Sequence, residues 1–321
     1  MRINSKKIIS INGFNCKYHI WGQDETNPII IFVHGGPGLP IRHKIKKNFK
    51  DLTDKYTLVC YDQRGTAGSY SSSMKQEDLT LDKLISDLVR LAEYFLKTSA
   101  TDKIYLIGES FGSLISVGAL TKAPQLFSGY IGVGQYTDTI EMLKEQYRLL
   151  KEECEKNRDG YVLDFLNTLP ELTNKITWNE EQCNKFISYL YKILDYGRQD
   201  QWKKAVVKPL RKTWEFTRKE KRQIKFGRDL YHKAMGYQCY SVRNFGLKFE
   251  CPFYALSGEK DFTTPISLSK SYVKNEINAP DHKFVTFENC GHSCMFEQPQ
   301  RFMVLVRKFF SNYRQNMFEK D

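Results

Sequence analysis

Alternating apolar and polar stretches predict strands and helices in regular succession along the chain. The first two apolar stretches, 8–11 and 14–21, flank Asn12-Gly13, a dipeptide typical of a two-residue hairpin turn. The run at 28–33 is continuously apolar and rich in β-branched residues, as expected for a strand buried on both faces. Similar short runs predict further strands at 56–61, 103–107, 130–133, 251–256 and 283–287.

Helical patterns fill the intervals between these strands. Thr80 is a good N-cap for a helix with one apolar face, formed by Leu84, Ile85, Leu88, Leu91 and Phe95. Small and apolar residues at helical spacing predict a packed helix at 112–120, and 301–313 predicts an amphipathic helix. Strands that alternate with helices in this way predict an α/β fold with a mostly parallel central sheet.

The pattern changes between residues 135 and 245. This segment is charged and aromatic, its β signals are weak, and interruptions at 157–160, Pro170 and Gly197 separate its helical stretches. Strand-like sequence resumes at residue 251. We therefore expect a core of residues 1–134 and 246–321, with residues 135–245 inserted as a helical cap.

Composition narrows the class of protein. The 321 residues, 41% hydrophobic and 14% aromatic, suffice for a large folded core. The net charge of +12 comes from 49 Lys and Arg against 37 Asp and Glu. Because the basic residues are spread over the chain and form no nucleic-acid-binding motif, they indicate a solvated surface rather than a nucleic-acid partner.

Cysteine usage and the N-terminus bear on cofactors and location. The eight cysteines form no CxxC pair, which favours reduced thiols in a cytoplasmic protein. Cys290 and Cys294 flank His292, but zinc would need more ligands at usable spacing, so we expect no metal and no organic cofactor. No stretch approaches the roughly 20 apolar residues of a membrane span, so we expect no membrane partner. The sequence leaves the oligomeric state open.

The run GESFG at 108–112 links the strand at 103–107 to the helix that follows. A serine between two glycines at such a junction can occupy a sharp turn that exposes its hydroxyl, since side chains at the glycine positions would collide with neighbouring elements. The pattern alone is also compatible with an ordinary strand–helix connection.

A serine hydroxyl becomes a good nucleophile only beside a base, and the base needs an orienting group. Asp261 follows the strand at 251–256, and His292 follows the strand at 283–287. In a parallel sheet these turns share one edge with Ser110. Two simpler interpretations remain: Asp261 as a helix N-cap, with Glu259 as the rival carboxylate, and His292 as a surface residue.

The run HGGPG at 34–38 directly follows a predicted buried strand. Acyl transfer places negative charge on the substrate oxygen, and two backbone N–H groups aimed at this oxygen supply much of the rate. A glycine-rich turn allows the backbone to approach that closely. The alternative is a tight turn with no ligand.

HGGPG, DQRG at 62–65, GESFG and a GHS histidine, in this order, resemble the α/β-hydrolase superfamily, and within it most closely the proline iminopeptidase branch of serine peptidases. The resemblance implies Ser110 as nucleophile, His292 as general base and Asp261 as its orienting acid. It also implies an oxyanion hole from the backbone N–H groups of Gly36 and Phe111, and a cis bond between Gly36 and Pro37.

Two departures concern the substrate. The branch commonly reads GGSWG at the nucleophile, whereas Glu109 and Phe111 flank Ser110 here. Its members bind the free α-amino group of the substrate with cap carboxylates, for which Asp138, Glu141 and Glu215 are candidates that equally suit solvated helix positions. We select His34, Gly35, Glu109, Glu141 and Glu215 as the candidate substrate-binding residues.

These observations predict a serine hydrolase that cleaves an amide or ester through an acyl-enzyme. The resemblance favours a prolyl aminopeptidase-like activity on small peptides with a free N-terminus. The alternatives are a carboxylesterase that acts on small acyl esters and, in a different class, a non-catalytic binding protein that retains the pocket.

Overall fold

The computed structural model describes residues 3–102, 104–194 and 212–318. Its central sheet has eight strands in the order β1-β2-β4-β3-β5-β6-β7-β8. The strands are β1 (Ile3–Ile11), β2 (Phe14–Gly22), β3 (Ile29–Val33), β4 (Thr57–Tyr61), β5 (Ile104–Glu109), β6 (Phe127–Val133), β7 (Phe253–Gly258) and β8 (His282–Phe287). β1 pairs with β2, and β2 with β4, in antiparallel fashion, and every other neighbouring pair is parallel. The predicted mostly parallel α/β sheet is confirmed.

Local sequence explains the first strands. Asn12 and Gly13 both have positive φ, 46° and 79°, as a two-residue hairpin turn requires, so the predicted turn is confirmed. Every residue of β3 and β4 is buried, in agreement with their continuous apolar runs.

Helices cover both faces of the sheet. They are α1 (Arg42–Asn48), α2 (Leu81–Thr98), α3 (Phe111–Lys122), α4 (Thr139–Asn157), α5 (Gly160–Asn167), α6 (Glu180–Leu194), α7 (Arg218–Met235), α8 (Ile266–Ser271), α9 (Cys294–Glu297) and α10 (Pro299–Phe318). Thr80 caps α2 by accepting a hydrogen bond from the backbone of Lys83, as predicted. No helix in the described ranges is long and apolar enough to cross a membrane.

The chain between β6 and β7 contains helices α4 to α7. Helices α4, α5 and α6 share an apolar cluster of their own, with Leu150, Phe165 and Phe186 among its buried members. Helix α7 packs directly on the loop that follows β4. A Cβ atom on Gly227 would lie 2.1 Å from the carbonyl oxygen of Gly65, so only glycine permits this approach.

A buried ionic network fixes the start of α7 on the core. Arg42 of α1 donates hydrogen bonds to Asp62, in the loop after β4, and to Glu220 of α7. Glu220 also accepts from the ammonium group of Lys17 at 2.7 Å and completes the capping box of α7 with Thr217. Because a buried cation or carboxylate is costly without a partner, each of these groups depends on the others.

Candidate active site

The turn from β5 into α3 holds Ser110 in a strained conformation. Ser110 has φ 53° and ψ −125°, which is unusual for a residue other than glycine. A Cβ atom on Gly108 would lie 2.8 Å from Cα of Ser113, and one on Gly112 would lie 2.1 Å from the carbonyl oxygen of Val33. The expected collisions at both glycine positions are thus present, and they explain why this turn needs glycine at 108 and 112.

Asp261 and His292 follow β7 and β8 and meet at the same edge of the sheet. The Nδ1 atom of His292 lies 2.9 Å from Oδ2 of Asp261. The Asp261 carboxylate is fully buried and also accepts hydrogen bonds from the backbone N–H groups of Thr263 and Thr264, at 2.9 and 3.0 Å. A carboxylate held in this way assigns the imidazole proton to Nδ1 and leaves Nε2 free to accept a proton.

Nearby charges set the protonation of His292. Burial alone would lower its pKa, but the charge and hydrogen bond of Asp261 outweigh this effect. The carboxylates of Glu109 and Glu297 act in the same direction, and the pKa of His292 is raised above its ordinary value.

The glycine-rich turn after β3 lies against the serine turn. A Cβ atom on Gly35 would lie 2.7 Å from the carbonyl oxygen of Glu109 and 2.9 Å from Cβ of Ser110. Gly36 has φ +116°, and the bond between Gly36 and Pro37 is cis. The turn therefore brings its backbone as close to Ser110 as the packing of two main chains allows.

His34 connects this turn to the loop after β4 through hydrogen bonds. Its side chain is fully buried, and its Nε2 atom accepts a hydrogen bond from the backbone N–H of Gln63 at 3.1 Å. The amide of Gln63 in turn donates to the carbonyl oxygen of His34 at 2.6 Å. His34 is not among the residues that line the cavity beside Ser110, and its part in substrate binding stays a prediction.

Ser110 and His292 line one cavity of about 680 Å³. Gly35, Gly36 and Phe111 also line it, so the structure brings together most of the predicted site. Helix α7 contributes the opposite wall, with Arg228, Tyr231, His232 and Met235. Phe111 packs edge-on against Tyr136 and Tyr240, with ring centroids 5.9 and 5.7 Å apart, and these three rings give one side of the cavity an aromatic surface.

Residues 28–299 match the family model of the α/β hydrolase fold. The chain belongs to the α/β-hydrolase family. The probable aminopeptidase YbaC of Bacillus subtilis is 26% identical to this hydrolase over 305 residues, which cover 93% of the chain and 91% of the relative. A proline iminopeptidase of Saccharolobus solfataricus is 24% identical over 315 residues, which cover 96% and 93%.

Solved structures agree on the fold. A proline iminopeptidase-related protein of Thermus thermophilus superposes with a TM-score of 0.69 at 16% identity, covering 96% of this chain and 97% of its own. A proline iminopeptidase of Mycobacterium smegmatis gives a TM-score of 0.66, also at 16% identity, with 98% and 100% covered. The resemblance expected from the motifs is confirmed.

The predicted cap carboxylates lie elsewhere in the hydrolase. Glu141 pairs with Arg243 at 3.0 Å, and Glu215 pairs with Lys46 at 3.0 Å and with Lys6 at 3.2 Å. Neither carboxylate is among the residues that line the cavity beside Ser110, and each is held by basic partners outside it. Asp138 serves as the N-cap of α4. Substrate binding by Glu141 or Glu215 therefore stays a prediction, and in this structure both carboxylates are paired with basic side chains.

Two residues at the site had no signal in the sequence. Lys44, in a run of basic residues that suggests a solvated helix, lines the cavity although its side chain is buried. Gly134 directly follows β6, and a Cβ atom there would lie 2.8 Å from Cε1 of His292. Gly134 therefore leaves the space that the imidazole occupies.

Proposed function

We propose that the chain is a serine hydrolase in which Ser110 is the nucleophile, His292 the general base and Asp261 its orienting acid. One observation carries the proposal: the imidazole held by the buried Asp261 carboxylate opens onto the same cavity as the strained Ser110. The strained turn presents the hydroxyl at the end of β5, where the base comes from a neighbouring loop at the same sheet edge.

In the proposed reaction, Ser110 Oγ attacks a carbonyl carbon while Nε2 of His292 takes the hydroxyl proton. The backbone N–H groups of Gly36 and Phe111 stabilise the negative oxygen of the tetrahedral intermediate. His292 then delivers the proton to the leaving group, and the carbon–heteroatom bond breaks. A water molecule repeats the sequence on the acyl-enzyme and releases the acid.

We further propose a small peptide with a free N-terminal residue as substrate. The names of the similar proteins, an aminopeptidase and a proline iminopeptidase, support this choice. The rings of Phe111, Tyr136 and Tyr240 offer an apolar surface that suits a pyrrolidine ring. Among the described residues that line the cavity, Glu109 is the one carboxylate, and it supplies the negative charge that attracts an ammonium group.

A carboxylesterase is the second candidate function. It is favoured by the place of Glu141 and Glu215, whose carboxylates are paired with bases outside the cavity. A hydrolase without a strong ammonium site would accept small apolar acyl esters as readily as peptides. We also propose that residues 135–245 act as the cap, since α7 forms one wall of the cavity.

A three-substrate panel separates these candidates. We expect prolyl-naphthylamide to be turned over at least tenfold more efficiently than its N-acetylated form, because an ion pair with the substrate ammonium is lost on acetylation. Glu109→Gln should reduce this preference. Indifference to acetylation together with rapid hydrolysis of p-nitrophenyl acetate would identify an esterase instead.

A labelling experiment tests whether the chain is an enzyme at all. A fluorophosphonate should label the wild type and leave Ser110→Ala unlabelled, because only an activated serine reacts with this reagent. A folded wild type that remains unlabelled would contradict the nucleophile assignment and favour the binding protein.

A further inference from the structure

Lys44 is a buried cation at the edge of the cavity that the proposed reaction does not use. It belongs to α1 and lines the cavity together with Glu109, Ser110 and His292. The residue is only 4% exposed, and its ammonium nitrogen lies 4.2 Å from the centre of the Phe296 ring. A buried lysine is rare unless it has an anionic partner.

No permanent partner of this kind is present in the described part of the chain. Over residues 3–102, 104–194 and 212–318, no carboxylate lies within 4.0 Å of the Lys44 ammonium group. Burial lowers the pKa of Lys44 to about 8, while the charges of Glu109 and Glu297 oppose that effect. These two carboxylates help to keep the ammonium group charged at neutral pH, and neither forms an ion pair with it.

The position of Phe296 tells which part of the substrate Lys44 faces. Phe296 belongs to α9, which begins two residues after His292. His292 must deliver its proton to the leaving group, so the leaving group lies on the histidine side of Ser110. The ammonium group of Lys44 contacts Phe296, in the segment that carries His292, and this contact favours a place beside the leaving group over one beside the acyl group.

We propose that Lys44 binds a carboxylate carried by the leaving group, so that the preferred substrates are dipeptides, which release a free amino acid. This inference rests on the proposed peptide hydrolase function and narrows its substrate class. In a dipeptide, a single carbon separates the scissile nitrogen from the terminal carboxylate. A cation beside the leaving group therefore distinguishes a dipeptide from a longer peptide or an amide.

Arg228 is the other strong base on the cavity wall. Its side chain is exposed, so water screens its charge, whereas the Lys44 charge lies in a poorly hydrated environment. An ion pair with a substrate carboxylate is therefore stronger at Lys44 than at Arg228, so Lys44 is the better carboxylate-binding residue.

The test compares prolyl-alanine with prolyl-alaninamide, which differ only in the charge of the leaving group. We expect kcat/KM of the wild type to be at least tenfold higher for the free acid. Lys44→Met should lower the value for the acid by about 10- to 100-fold and change the value for the amide by less than about threefold. Lys47→Met is the matched control, because Lys47 lies on the same helix with its side chain in solvent.

Binding to the Ser110→Ala variant gives a second readout that needs no turnover. Calorimetry should show tighter binding of the acid than of the amide, and adding Lys44→Met should abolish the difference. Equal affinities for acid and amide, or an equal loss of both on Lys44→Met, would overturn the inference. A wild type that cleaves neither compound, while Ser110→Ala still prefers the acid, would refute the peptidase function and leave the carboxylate site standing.

Discussion

Gly134→Ala tests whether the free space beside His292 is needed for catalysis. The backbone at Gly134 has φ +58°, and its N–H donates to the carbonyl oxygen of Leu256 at 2.9 Å, so the main chain is fixed between β6 and β7. The added Cβ would lie 2.8 Å from Cε1 and 3.0 Å from Nδ1 of His292. Ordinary carbon–carbon contacts begin at ~3.5 Å, so the imidazole must move away from the added Cβ by about 0.7 Å.

This displacement sets the expected magnitude. A misplacement of about 1 Å in a catalytic group lowers the rate by about 100-fold, so we expect kcat/KM to fall between tenfold and 100-fold. Stability should change less. Alanine at positive φ costs about 1–2 kcal/mol, and the reduced freedom of the unfolded chain returns about 0.4–1 kcal/mol.

Gly13→Ala is the matched control. Gly13 also has positive φ, +79°, and a Cβ atom there would have no heavy atom within 4 Å. It should reproduce the loss of stability without the loss of activity. Hydrolysis of p-nitrophenyl acetate and urea unfolding measure the two effects separately. If Gly134→Ala keeps its activity within threefold of the wild type, the imidazole does not need this space and the reasoning fails.

Three further predictions concern charges. Asp261→Asn should lower kcat by about 10⁴-fold while the far-UV spectrum stays native, because the amide no longer stabilises the imidazolium; a loss below tenfold would contradict the orienting role. Glu109→Gln should shift the acid limb of kcat/KM to lower pH. The general base must be neutral, so activity rises as the pH increases through the pKa of His292. Removing the nearby negative charge of Glu109 lowers this pKa. An acid limb at the same pH in wild type and variant would exclude the coupling. Asp87→Asn should lower the free energy of unfolding, measured in urea, by about 3–5 kcal/mol, because the buried Arg64 guanidinium would lose its anionic partner. Arg64 now donates hydrogen bonds to both carboxylate oxygens of Asp87, at 2.7 and 2.8 Å. A change below about 1 kcal/mol would show that water replaces the ion pair.

The strands were predictable where their apolar residues are continuous. The runs at 28–33 and 56–61 became β3 and β4 almost residue for residue. β1 is longer than the predicted 8–11, because backbone pairing with β2 holds residues 3–7, of which 4–7 are polar and give no apolar signal. β6 likewise begins earlier than residue 130, since Ser128 and Gly129 interrupt the apolar pattern.

Part of the candidate site was predictable from the sequence and part was not. Ser110, Asp261 and His292 each lie in a short loop directly after a strand, so the sheet edge brings them together once the strands are known. The place of Glu215 depends on how the chain before α7 docks on α1, where Lys46 holds its carboxylate. No local pattern encodes this docking. Lys44 was missed for the same reason, because only tertiary packing buries its side chain.

The network around Glu220 has a consequence for engineering. Exchanging the segment between β6 and β7 with that of a relative is an obvious way to change specificity in this family. Here such a graft would remove the carboxylate that Lys17 and Arg42 share, and both bases belong to the recipient core. A successful chimera must therefore replace Lys17 and Arg42 in the core together with the segment, or the donor segment must supply a glutamate at the start of its last helix.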